Sequence, residues 1–169
     1  AKEFQTELIR VVSVGSLTAK KCFNLLIDAI SDLDSKVQKR LEVKILGDGP
    51  ERKALENQIN NLQLNSIITL AGNVNNVSQY MRNSEVFILV STAEGMSNSL
   101  LEALAHGLPA ICSDVGNNGE LIIDPSYPGM GSNVSLVSGK CGFIFEPNSV
   151  EAFKNSLISF IALAGNKKA

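Results

Sequence analysis

The sequence is poor in the residues that build metal centres and cross-links. It has one histidine, His106, and three cysteines, Cys22, Cys112 and Cys141, with no CxxC pair. One imidazole and scattered thiols do not make a tetrahedral zinc site. No carboxylate cluster suggests another metal, so neither metal nor cofactor is expected. An odd cysteine count without a spacing pattern excludes a disulfide scaffold; reduced thiols point to the cytosol. Cys112 ends a short apolar run and reads as core. Asn76-Val77-Ser78 and Asn133-Val134-Ser135 match the glycosylation sequon, which means nothing without secretion. No apolar run approaches membrane-spanning length, and no signal peptide opens the chain. The net charge of −2 gives no broad basic field for nucleic acid or anionic membrane. An anionic ligand must be met by local amides and a few lysines.

Several motifs are also missing. A dinucleotide dehydrogenase needs GxGxxG after its first strand, and Gly15 stands there alone. The P-loop pattern GxxxxGK[ST] and the hydrolase pattern GxSxG do not occur. A receiver domain needs acidic residues after the first strand, where this chain has Val14-Gly15.

What is present is a soluble globular composition, 44% apolar and 19% charged over 169 residues, enough for one domain with a full core. Leu8 to Val14, Leu41 to Leu46, Ile67 to Ala71, Val86 to Val90, Ala110 to Cys112 and Phe143 to Phe145 read as strands. Helical spacing covers Lys20 to about Leu33, a segment through Leu55, Ile59 and Leu62, Val77 to about Arg82, and Val150 to Leu163; Glu120 to Ile123 reads as one turn. Pro50 fits a first helical position. Continuous apolar strands alternating with helices predict an α/β fold: a Rossmann-like parallel sheet of about six strands, helices on both faces and ligands at the carboxyl ends of the strands. Residues 124 to 141, with two prolines and three glycines, form the one long irregular stretch. The chain opens without methionine and reads as an excised domain spanning residues 1–169.

The organising stretch is residues 91 to 109, STAEGMSNSLLEALAHGLP. A polar turn follows a buried strand and opens a helix that Gly107-Leu108-Pro109 ends. Leu100, Leu101, Leu104, Ala105 and Leu108 form its apolar side, with Glu102 and His106 on the other. Free amides and the helix dipole make that terminus an anion site, and Gly95 lets the backbone approach a ligand. Glu94 projects over the site from the turn, and Glu102 flanks it from within the helix. The alternative is structural: Ser99-Leu100-Leu101-Glu102 matches a capping box, with Glu102 bonded back to the Ser99 amide. His106, in the last turn, reads as structural.

Glu94, seven residues, then Glu102, inside EGMSNSLLEALAHGLPAICSD, resembles the signature of retaining glycosyltransferase family 4. Those enzymes have the GT-B architecture, and the signature belongs to the C-terminal domain that binds the nucleotide sugar. The similarity extends over roughly residues 11 to 160. VGSLTAKKCFNLLIDA resembles the family's phosphate loop, with Lys21 at its phosphate-binding lysine. Ser16 stands where arginine is usual, and Cys22 where glycine is usual. As physics, Thr18 caps a helix here and leaves Lys20 and Lys21 in its first turn. Cations there oppose the dipole by about 0.3–1 kcal/mol, a conflict that a bound diphosphate would reverse.

Gly47-Asp48-Gly49-Pro50-Glu51 and Gly72-Asn73-Val74 match further family loops, the second near the nucleobase. Ser113-Asp114-Val115-Gly116-Asn117-Asn118-Gly119-Glu120 resembles the family's two-glycine loop near the phosphates, with Asn117 replacing one glycine. The resemblance implies a hexosyltransferase using a nucleotide diphosphate sugar as substrate. It implies contacts from Gly15, Ser16, Lys20, Lys21, Gly47, Asn73, Val74, Glu94, Gly95, Met96, Ser97, Asn98, Ser99, Leu100, Glu102 and Gly116. Glu94 and Lys21 are the catalytic candidates: Glu94 meets donor-sugar hydroxyls, Glu102 meets the ribose, and the amides of residues 97 to 99 join Lys21 on the leaving diphosphate. An N-terminal acceptor domain is the implied missing partner, in a cytoplasmic enzyme of polysaccharide biosynthesis for which peripheral attachment at the inner membrane face stays open. Two alternatives remain: a non-catalytic nucleotide-sugar-binding module, with Ser16 as the mark of lost activity, and another GT-B enzyme such as a sugar-nucleotide epimerase.

Overall fold

A computed structural model describes residues 8–122, 136–139 and 141–166. The chain enters β1 (Ile9–Val14), makes a 3-10 turn (Ala19–Lys21), and continues through α1 (Phe23–Ser31), α2 (Ser35–Gln38) and β2 (Leu41–Leu46). Next come α3 (Arg52–Asn61), β3 (Ile68–Gly72), α4 (Val77–Arg82) and β4 (Val86–Leu89). α5 (Asn98–Ala105), β5 (Ala110–Ser113), α6 (Asn118–Ile122), β6 (Leu136–Gly139), β7 (Gly142–Phe145) and α7 (Val150–Asn166) complete it.

The strands form one seven-stranded sheet, ordered β3-β2-β1-β4-β5-β7-β6. All neighbours pair in parallel except β6, which lies antiparallel to β7 at the edge. The parallel sheet expected from the apolar runs is therefore present, with one added edge strand. β6 falls inside the stretch read as irregular. Its sequence, LVSG, is short and lacks an apolar alternation long enough to announce a strand. The rest of that stretch, including the Asn133 sequon, lies outside the described residues apart from Cys141, which is exposed.

Alternate residues of the central strands feed two cores. Val11, Val43, Ile45, Ile88 and Phe145 pack under α1, α3 and α7. Val12, Leu46, Phe87, Leu89 and Cys112 pack under α4, α5 and α6. Every residue of β4 and β5 is buried, because both faces are covered. A fully buried side chain such as Phe87 contributes roughly 1.5–3 kcal/mol. α7 docks through Phe153, whose ring centroid lies 5.3 Å from that of Phe145. Among the described residues no helix is long and apolar enough to cross a membrane.

Three local expectations change. The helix expected from Lys20 begins at Phe23, because Cys22 takes the left-handed conformation (φ 49°) and separates the 3-10 turn from α1. An L-residue pays roughly 1–2 kcal/mol there, which gives a physical sense to the glycine usual at this position. Pro50 precedes rather than starts α3, whose N-cap is Glu51. α2, begun by Asp34 accepting from the Lys36 amide at 2.8 Å, leaves no sequence signal, because four residues are too few for a periodic pattern.

Candidate functional site

The strand order reverses direction between β1 and β4, and the loops leaving their carboxyl ends lie against each other. Such a switch point is where open α/β sheets bind ligands. Its left wall is the loop after β1, laced to the loop after β2: the Leu17 amide donates to the Asp48 carbonyl and the Glu51 amide to the Leu17 carbonyl, both at 3.0 Å. Its right wall is the turn after β4. The two walls meet where the Thr92 amide donates to the Lys20 carbonyl at 2.9 Å.

Across this gap Lys21 donates through Nζ to Oε1 of Glu94. Neither side chain is turned out to solvent: they are 20% and 12% exposed. Ser91, fully buried, donates to the same Oε1 at 2.6 Å. The 3-10 turn places the ammonium. Thr18 makes no side-chain cap, so the expected cap is replaced by a tight turn from which Lys21 folds back. Its stem crosses Gly15, where an added Cβ would lie 3.1 Å from Lys21 Cε. Lys20 is exposed and takes part through its carbonyl.

Behind Glu94 stands the amino end of α5. Its N-cap is Ser97, whose hydroxyl accepts from the Leu100 amide at 3.3 Å and lies 3.1 Å from Ser99 Oγ. The capping box based on Ser99 does not form, because the helix starts one residue before it, at Asn98. Glu102 is left exposed, without a bond to another described side chain. The Leu101 amide is taken by the Ser97 carbonyl. The amides of residues 95–99 have no protein acceptor among the described residues, so a row of N–H groups and the positive end of the dipole face the gap.

Leu100, by contrast, belongs to the core; its side chain is fully buried and its amide satisfied. Ala103 rather than Ala105 completes the buried side of α5. His106 ends the helix and pairs through Nε2 with Ser78 Oγ at 3.0 Å, tying α5 to α4.

Gly116 supports the turn from below. It has φ 55°, and a Cβ there would sit 2.2 Å from the Glu94 carbonyl oxygen and 2.4 Å from that of Gly95. The Asn117 amide reaches the Gly95 carbonyl at 3.4 Å. Gly95 itself has no neighbour within 4 Å of a notional Cβ, and Met96 is 59% exposed. Between the loops after β1, β2 and β3 an open hollow of about 280 Å³ is lined by Val14, Gly15, Ser16, Gly47, Asp48, Asn73, Val74 and Val77 among others, with neither Lys21 nor Glu94 in its lining. Ser16, Gly47, Asn73 and Val74, widely spaced in sequence, thus share one wall.

Asp48, Ser91, Ser113 and Asn118 carry no individual motif in the sequence. For Ser91 a signal existed: a small polar residue at a position continuing a fully apolar strand, three before the acid. Ser113, the last residue of β5, and Asn118, the first of α6, are both fully buried.

The whole chain, residues 1–169, matches the family described as glycosyl transferases group 1. It belongs to that family. It is 30% identical over 152 residues to an uncharacterised glycosyltransferase of Methanocaldococcus jannaschii, covering 88% of this chain and 37% of that protein. It is 34% identical over 119 residues to the amylovoran biosynthesis glycosyltransferase AmsD of Erwinia amylovora, covering 70% of this chain and 33% of that protein. Among solved structures, Anabaena HepE in complex with UDP superposes with a TM-score of 0.74 at 20% identity, covering 94% of this chain and 40% of that one. The fold is therefore that of one domain of the GT-B glycosyltransferases. This group 1 glycosyltransferase chain spans about a third of the length of the curated relatives it matches.

Proposed function

We propose that this chain is the donor-binding part of a retaining glycosyltransferase, which moves a hexosyl group from a nucleotide diphosphate sugar to a hydroxyl acceptor. One observation carries the reading: an ammonium and a carboxylate, Lys21 and Glu94, face each other over the free amino end of α5. The dominant barrier in such a transfer is departure of the diphosphate. Preorganised donors aimed at the developing negative charge lower it. The amides of residues 97–99 and Lys21 supply them; a helix terminus adds roughly 0.3–1 kcal/mol, up to about 2 when partly buried. Lys21 carries three N–H donors, so it can meet phosphate while keeping Glu94. Glu94 accepts from hydroxyls of the donor sugar. Glu102, free of the helix end, meets the ribose, and the hollow lined by Asn73 and Val74 takes the base.

A uridine nucleotide is the first candidate, because the superposing Anabaena protein was solved with UDP. The acceptor belongs to a surface polysaccharide or glycolipid. The enzyme works in the cytoplasm, at the inner face of the membrane when its acceptor is lipid-linked. A second domain completes the acceptor side, so this chain alone binds donor and transfers nothing. Titration calorimetry with UDP-, GDP- and ADP-sugars tests the reading; absence of saturable binding to all three classes would end it.

A second reading is favoured by Ser16, exposed in the phosphate loop where arginine is usual. With one cation fewer, the module binds nucleotide sugar without catalysing transfer. Transfer assays on the complete gene product separate the two.

A further inference from the structure

We propose that Ser91 is a positioning residue for Glu94, and that Ser113 and Asn118 are its anchors. The inference rests on the donor-binding reading above. It starts from three polar side chains that are fully buried at the carboxyl end of the sheet. Burying a hydroxyl or amide is unfavourable unless hydrogen bonds replace those lost from water. Their donors find partners in series, while Asn118 Oδ1 has none among the described residues. Asn118 Nδ2 donates to the Ser113 carbonyl at 3.1 Å. Ser113 Oγ donates to the Ser91 carbonyl at 2.6 Å. Ser91 Oγ donates to Glu94 Oε1 at 2.6 Å. The chain runs from α6 through β5 to the turn after β4 and ends on the acid.

A purely structural serine on this sheet looks different. Ser13, buried in β1, spends its hydroxyl on the Ile88 carbonyl of the neighbouring strand. Ser91 spends its hydroxyl on a side chain that reaches the crevice. Hydrogen bonds to ionised acceptors are about twice as strong as neutral ones. Lys21 and Ser91 converge on Oε1, and Oε2 has no partner among the described residues. One oxygen is thus held while the other is left for a ligand hydroxyl. A diphosphate shares the Lys21 ammonium with Glu94, whereas the buried Ser91 hydroxyl stays with Glu94 alone. Once the donor is bound, Ser91 is the contact on Glu94 that no ligand shares.

The test uses this chain and paired titrations: UDP-glucose against UDP, GDP-mannose against GDP, and ADP-glucose against ADP, taking the pair that the unsubstituted chain binds. Ser91→Ala should weaken the nucleotide sugar roughly tenfold, the size of a charge-assisted hydrogen bond. It should leave the nucleoside diphosphate within about twofold. A merely structural role would move both affinities together. Ser91→Cys, which keeps the volume but donates weakly, reads the same difference if the alanine variant does not fold. In a Glu94→Ala background, Ser91→Ala should change the sugar preference no further. Equal losses for both ligands, no loss for either, or independent effects in the double variant would overturn the positioning role alone. No binding by the unsubstituted chain would instead overturn the donor-binding reading, and this inference with it.

Discussion

Lys21 and Glu94 lie 73 positions apart in the chain and share a charge-assisted hydrogen bond through Nζ and Oε1. The residue assigned to the phosphates and the residue assigned to the sugar therefore hold each other before any donor arrives. A cation and a carboxylate drawn together in a partly enclosed gap are already desolvated and oriented, which reduces the reorganisation required on binding. Lys21→Ala should weaken nucleoside diphosphate binding roughly tenfold or more, the scale of a charged hydrogen bond. Glu94→Ala should leave that affinity nearly intact and mainly lower turnover of the complete enzyme. Calorimetry and steady-state kinetics measure the two; losses of equal kind from both substitutions would contradict the division of labour.

Helix α5 separates its capping residue, Ser97, from Glu102, the acid proposed to meet the ribose. Ser97 holds the Leu100 amide, whereas Glu102 is exposed and takes no part in the cap. Ser97→Ala should cost about 1 kcal/mol of stability, as lost N-caps do. Glu102→Ala should change stability by less than about 0.5 kcal/mol while weakening nucleotide binding. Urea denaturation set beside calorimetry decides this. A destabilised Glu102→Ala that binds normally would restore the capping-box reading.

Two glycines of the site differ in what surrounds them. Gly116→Ala drives a Cβ to 2.2 Å from the Glu94 carbonyl oxygen at a positive φ. A loss of about 1–3 kcal/mol is expected from the strained backbone, with the acid displaced. Gly95→Ala meets nothing within 4 Å, so stability should hold within about 0.5 kcal/mol. Ligand affinity should nevertheless fall, because the added methyl occupies the approach to the amides. Chemical denaturation of both variants tests the contrast; equal destabilisation would refute it.

Cys112 gives the fold an alkaline limit. Burial, reinforced by the Asp114 carboxylate, pushes its thiol well above the ordinary value of 9.0. The folded state therefore keeps a proton that the unfolded chain releases. Stability from this group is complete below about pH 9 and declines as pH rises further, since the unfolded state is then favoured by ionisation. Cys112→Ala should be less stable at neutral pH, from the cavity it leaves, and should lose stability less steeply above pH 9. Parallel slopes for both proteins would show that the thiol does not titrate on unfolding.

By itself the sequence determined the covered parallel sheet, because residues such as Val86 to Leu89 are apolar without alternation and can be satisfied only between two layers. It also marked the organising turn, since strand, glycine-containing turn and helix follow one another locally, whereas Lys21 and Glu94 stand out as candidates by resemblance to the family. Tertiary structure alone decided that these two side chains meet, that Ser97 rather than Ser99 caps α5, and that Gly116 lies under the turn. It alone revealed the buried series from Asn118 to Ser91. Those facts depend on strand order, which brings β1 beside β4 and β4 beside β5, and on rotations about single bonds such as the left-handed Cys22. Neither leaves a periodic trace in one chain, because hydrophobic patterning records which side of an element is covered and not which loop lies opposite.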